Sequence, residues 1–423
     1  MAGDTGRPRF AVGFWRLWSA TTASGLGDGV RITAIAVFAT VLTTNPLQVA
    51  LVTVAGQLPW AVVGPFAGTL VDRVNRWRAL WICDVLRTAV LAVFITLIAL
   101  GQVGVAVLAV IAFVLSSVET MAENLSQAVV PDVVGDGSLD SANSKLLGGQ
   151  FVTTEFLGAP LGTALFVLSR PLPFVIDAVS FVVSTVLVAS IKAPRSSQPA
   201  ASTPMTPRVL VAETVAGMRW LWHNRLLRTV CLMVGLLNFA VLAVLGIAVL
   251  YAVQILHISR AMYGLLLLII AVGGLVGLLA APKLVEKLGR GRTIQLLLAL
   301  CPLSFLVGGF TSNPILAAAA FAFVGASISL ANVVTTTLRQ ALIPAELFGR
   351  VNGAYRFVVN GMSPLGGLVG GLVAGGLGLR APFFLAAAVF VVAIAAALPL
   401  LSNRVVDPLV AAHEAKEKVE VHG

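Results

Sequence analysis

Asp72-Arg73-Val74-Asn75-Arg76-Trp77-Arg78 interrupts a long apolar stretch, and 214 residues later Glu286-Lys287-Leu288-Gly289-Arg290-Gly291-Arg292 repeats its pattern. Acid, base, turn residue, base and base recur in one register. Charge is expensive in apolar sequence, so two such interruptions at matched places read as the same short basic loop in two related halves. Hydrophobic residues are 58% of the 423 and charged residues 11%, against roughly 45–50% and 25% in soluble proteins. Apolar runs of about twenty residues, the length a spanning helix needs, recur throughout. The expectation is an all-α polytopic membrane protein.

Twelve spans are expected, near 14–43, 47–71, 79–100, 105–130, 139–168, 172–191, 229–256, 262–283, 293–310, 315–340, 351–378 and 381–402. Asn45-Pro46, Gly101, Arg170-Pro171 and Asn313-Pro314 mark the breaks between them. The first apolar run continues as a full span without a small-residue cleavage site, so no signal peptide is expected. With the termini and alternate loops on one side, that side holds 23 of the 28 Lys and Arg, including Arg339, Arg350 and Arg356. The positive-inside rule then puts both termini in the cytoplasm of a multi-pass cell-membrane protein. The same bias accounts for the net charge of +10, so anionic lipid headgroups suffice as partners and no nucleic acid is required.

Gln127-Ala128-Val129-Val130-Pro131 is answered by Gln340-Ala341-Leu342-Ile343-Pro344, and Pro160-Leu161-Gly162 by Pro364-Leu365-Gly366. These matches in constant order predict two six-helix halves, residues 1–191 and 229–402, in parallel topology. Residues 192–228 form a linker: polar and Pro-rich first, then an amphipathic interfacial helix over 209–228. Residues 403–423 form a cytoplasmic tail. Cys83, Cys231 and Cys301 stand singly in separate spans, which suits small core residues rather than disulfides or a metal site. Nothing resembles a phosphate-cradling loop, so no cofactor or enzymatic function is expected, and uphill movement would draw on an ion gradient.

Gly68-x-x-x-Asp72-Arg73-x-Asn75-Arg76-x-Arg78 resembles the signature loop between the second and third helices of the major facilitator superfamily. The chain departs from that signature at Asn75, where Gly is usual, and at Trp77, which displaces a base; its second copy has Pro282 in place of Gly68. Gly27-Asp28-Gly29, Leu139-Asp140-Ser141-Ala142-Asn143, Phe174-Val175-Ile176-Asp177-Ala178-Val179-Ser180-Phe181 and Pro344-Ala345-Glu346-Leu347-Phe348-Gly349-Arg350-Val351 are similar to the branch holding the enterobactin exporter and macrolide efflux pumps. The resemblance implies alternating access by a monomer. It also implies a latch between the halves, formed by Gly68, Asp72, Arg73, Arg76 and Arg78 and by Glu286, Lys287, Arg290 and Arg292. The plainer reading of these bases is a topology signal.

Ionisable residues inside spans need a reason, because each costs about 2.5–3.5 kcal/mol at a helix centre on insertion scales. Asp28 and Arg31, and likewise Asp84 and Arg87, share a helix face at i,i+3; for the second pair, neutralisation within one helix is the expected role. Glu119 and Glu123 lie one turn apart, and Glu155 falls at mid-depth of its span. Asp28, Arg31, Glu119, Glu123 and Glu155 are the candidates for proton coupling or substrate contact. The bland alternative is carboxylates hydrogen-bonded between helices.

Spans seven to twelve hold no buried acid, only polar candidates such as Asn238, Asn332 and Asn360. An acidic first half and an apolar second wall fit proton-coupled efflux of a small lipophilic compound, drug-like or siderophore. Import of a small metabolite, and a non-transporting sensor or assembly protein on the same fold, are the alternatives.

Overall fold

A computed structural model describes residues 10–71, 73–134, 138–191, 207–344 and 347–397. Asp72 of the expected latch, the polar linker over 192–206 and the tail over 403–423 lie outside the described residues. The chain is helical: α1 (Val12–Leu42), α2 (Pro46–Val62), α3 (Gly64–Val71), α4 (Arg76–Ala99), α5 (Val105–Val134), α6 (Leu139–Phe151), a π-helical segment (Val152–Gly158), α7 (Ala159–Leu168) and α8 (Leu172–Ala189). After these come α9 (Pro207–His223), α10 (Arg225–Leu245), α11 (Ala248–Gln254), α12 (Tyr263–Leu288), α13 (Arg290–Phe310), α14 (Pro314–Leu342), α15 (Phe348–Leu377) and α16 (Ala381–Ala397). Helices are what a hydrocarbon solvent demands, since each satisfies its own backbone. Among the described residues nine helices are long and apolar enough to cross a membrane; 46–62, 299–310 and 381–395 form shorter apolar helices.

Polar residues placed at the ends set the helix boundaries. Asn75 accepts the amide N–H of Arg78 at 3.0 Å and caps α4, and Asn224 accepts that of Leu227 at 3.1 Å and caps α10. The second cap corrects the expected interfacial helix over 209–228: it stops at His223, and Arg225 and Arg228 belong to α10. The second basic loop also differs from expectation. Glu286 and Lys287 are the last turn of α12, Arg290 and Arg292 the first turn of α13, and Gly289 alone makes the bend. Even so, α4 and α13 begin at matching places in the repeat, Arg76 and Arg290.

The chain forms two compact units. The first comprises residues 1–43, 62–203 and 260–265; the second holds 44–61, 204–259 and 266–423, so α2 belongs almost wholly with the second. In the first unit α1 is the central helix, packed on α5, α6, the π segment, α7 and α8. Small residues allow that closeness. A Cβ on Gly29 would meet the Thr154 carbonyl, one on Gly162 the Val30 carbonyl, and one on Gly27 the side chains of Asp177 and Ser180. In the second unit α10 packs on α15 and α16, and α9 on α15. Gly366 and Gly370 lie directly against the backbones of Phe239 and Ala243, whereas Gly361, Gly375 and Gly376 face open space.

Candidate functional site

The central helix of the first unit carries Asp28 and Arg31 on its buried face, and four other helical segments add charges around them. Arg31 Nη2 donates to Asp28 Oδ1 at 2.6 Å and to Glu119 Oε2 of α5 at 2.8 Å. Its Nε lies 3.0 Å from Asp177 Oδ2 of α8, an ion pair without hydrogen-bond alignment. Arg31 is 2% exposed and Asp177 fully buried. A planar fork suits this task, because one guanidinium can serve several carboxylates from different directions.

A second guanidinium continues the network. Arg87 Nη2 donates to Asp84 Oδ1 at 2.6 Å, and Nη1 reaches across to Asp28 Oδ2 at 3.3 Å. The Asp84–Arg87 pair is therefore not confined to one helix as expected; Asp28 bridges both arginines. Ser184 donates its hydroxyl to Asp84 Oδ2 at 2.6 Å, and the Phe181 ring lies under the guanidinium at 4.0 Å. The network holds four carboxyls, Asp28, Asp84, Glu119 and Asp177, against two arginines.

Beside it lies a cavity of about 340 Å³, lined by Ser24, Asp28, Asp84, Arg87, Glu119, Glu123, Gln150, Thr154, Glu155 and Ser184 among others. Glu123 is half-buried in its wall, and Glu155 is open to it. Glu155 sits in the middle of the π segment, whose wide turn precedes Pro160. That proline lacks the N–H that would have bonded the Phe156 carbonyl, and π turns recur at functional sites. The segment is held to α1 by Thr154 Oγ1, which donates to the Gly25 carbonyl at 3.0 Å.

Five sequence candidates thus gather around one cavity or the arginine beside it. Asp177, Asp84, Arg87 and Ser184 complete the site and were not among those candidates. A lone acid in the second turn of the otherwise apolar α8 was the available signal for Asp177. Of the basic loop, Arg76 Nη1 donates to the Ala128 carbonyl at 3.3 Å, and Trp77 Nε1 donates to Asp132 Oδ2 at 3.2 Å, tying α4 to α5 within the first unit. Gly68 lies in α3 and Arg73 and Arg78 flank the Asn75 cap.

The second unit has a polar pocket of its own. Asn238 of α10 and Asn360 of α15 share a polar pocket of about 370 Å³ with Arg356, while Asn332 is not in its lining. Arg356, counted by sequence among the loop bases, is inside α15.

Membrane-crossing helices that enclose paired charges and a small-molecule-sized cavity suit a carrier. The Major Facilitator Superfamily model matches residues 17–367 and again 231–421. The chain belongs to the Major Facilitator Superfamily. It is 26% identical over 374 residues to the multidrug efflux pump Tap of Mycolicibacterium fortuitum, covering 87% of this chain and 90% of that one. It is 22% identical over 394 residues to macrolide efflux protein A of Streptococcus pyogenes, covering 92% and 96%. The crystal structure of the nucleoside transporter NupG superposes with a TM-score of 0.72 at 13% identity, covering 92% of this chain and 99% of that one; it shares the fold. The protein is a multi-pass membrane transporter.

Proposed function

We propose that this protein exports a small lipophilic compound, cationic in its preferred form, in exchange for protons across the cell membrane by alternating access. The observation that carries this reading is the charge balance at Asp28. Fully ionised, four carboxyls and two guanidiniums leave an excess of two negative charges in a site from which water is largely excluded. Uncompensated buried charge is costly, so protons or a cationic substrate would balance the excess, and competition between them is the essence of exchange. Efflux relatives at 22–26% identity support the direction. On this reading the chain crosses the membrane twelve times as a monomer, with both termini cytoplasmic and with halves at 1–191 and 229–402 joined by the 192–228 linker. Arg73, Arg76, Arg78 and Asp72, with Glu286, Lys287, Arg290 and Arg292, act as the latch.

The test is accumulation of ethidium in cells with and without the protein, repeated after an uncoupler collapses the proton gradient. The expected result is lower accumulation that the uncoupler abolishes. Higher accumulation would make the protein an importer, and unchanged accumulation over a panel of lipophilic cations would favour a non-transporting role.

A further inference from the structure

The polar pocket of the second unit has a chemistry opposite to that of the acidic cavity. Arg356, Asn360 and Ser363 lie at i, i+4 and i+7 on one face of α15, opposite Asn238 of α10 and Gln57 and Trp60 of α2. No acid is in this lining. Among the described residues the side chains of Arg356, Asn360, Ser363 and Gln57 form no hydrogen bond or ion pair. Arg339 of α14 is near enough to repel Arg356. Its own fork is occupied, donating to Asn352 Oδ1 at 2.7 Å and to Thr336 Oγ1 at 2.9 Å and stacking on Tyr355 at 4.2 Å. A guanidinium has five donors in a fork matched to planar oxyanions. It is exposed at the ninth residue of α15 and makes no ion pair there, so its fork is open to an anion in the pocket. Beside it, Trp60 offers a ring face, and Val241 and Leu242 an apolar floor.

We propose that this pocket is a binding site for the carboxylate of an amphiphilic aromatic compound, with Arg356 as the ion-pair partner, Asn238 and Asn360 as flanking donors and Trp60 as the ring platform. It goes beyond the proposed proton-coupled export and does not depend on it: a molecule with both a cationic amine and a carboxylate, or a carboxylate alone, becomes a ligand, and binding is measured without any gradient.

The test uses the purified full-length chain in phosphatidylcholine nanodiscs, with 1-pyrenebutyrate as probe, 1-pyrenebutanol as its neutral counterpart, and empty nanodiscs subtracted. The carboxylate is expected to bind at least tenfold more tightly than the alcohol. Arg356→Gln should remove that preference while leaving the affinity for the alcohol unchanged, and Arg356→Lys should retain part of it. If Arg356→Gln does not fold, Asn360→Asp sets a competing acid one turn from the guanidinium and should remove the preference as well. Equal affinities in the unmodified protein, or an unaltered preference in these variants, would overturn the proposal. A preference that vanishes in phosphatidylglycerol nanodiscs would assign Arg356 to a lipid headgroup phosphate and would also overturn it; persistence there supports a substrate site.

Discussion

Replacing Arg31 with Gln tests whether the charge network organises the first unit. Arg31 faces three carboxylates at 2.6, 2.8 and 3.0 Å while only 2% exposed. Each attraction is about 4 kcal/mol at an effective dielectric of 20 and a charge separation near 4 Å. Desolvation of the guanidinium offsets much of that sum, and deletion of one partner of a buried pair costs about 3–5 kcal/mol. The upper end applies here, because Asp177 would lose its cation and Asp28 and Glu119 would keep only Arg87 nearby. Equilibrium unfolding by SDS in mixed dodecyl maltoside micelles reads the loss. Arg170→Gln, at an exposed turn, is the control and should leave the curve unmoved. Adding Glu119→Gln to Arg31→Gln removes one stranded carboxylate and should restore stability by about 0.5–3 kcal/mol, the range of couplings between contacting groups. A loss below about 1 kcal/mol for Arg31→Gln, or a double variant no more stable than the single, would refute the reasoning.

Other outcomes follow from the same geometry. Asp28→Asn breaks the bridge between Arg31 and Arg87 and should abolish proton-driven efflux while leaving membrane expression intact; unchanged uncoupler-sensitive efflux would remove Asp28 from coupling. Gly29→Ala puts a Cβ against the Thr154 carbonyl and should cost about 1–3 kcal/mol by overpacking, seen as a lower melting temperature in detergent. Gly361→Ala meets nothing within 4 Å and should instead stabilise α15 by up to about 1 kcal/mol.

The all-helical membrane class was legible because a bilayer imposes length and hydropathy on each helix separately, and nine of the described helices meet both. Asp28 with Arg31 was legible for the same local reason, as an i,i+3 pair on one helix. The convergence of Glu119 and Asp177 on Arg31 was not, since it depends on how α1, α5 and α8 pack, and no spacing in the chain encodes that. Arg87 misled for a related reason: its neighbour Asp84 satisfied the local account and concealed the reach to Asp28. α15 begins at Phe348, three residues before the expected 351–378 span, and Arg356 lies inside both, so its sign and not its position groups it with the loop bases. The start of α10 shifted likewise, since Asn224 supplies a cap that hydropathy does not register.

The repeated basic segment keeps its register but not its chemistry, and the difference is measurable. Asn75 starts α4 with extended backbone and a side-chain cap, whereas Gly289 starts α13 at φ 80° and ψ 161° with no side-chain bond. That backbone region is essentially restricted to glycine, and forcing another residue into it costs about 1–3 kcal/mol. An N-cap Asn, by contrast, is replaced by Gly for only a few tenths of a kcal/mol. Exchanging the two residues should therefore be asymmetric: Asn75→Gly nearly silent, Gly289→Asn clearly destabilising in the same SDS titration. Equal costs would mean that the two turns are interchangeable. The predicted inequality says that the halves preserve where a helix starts while each has found its own way of starting it.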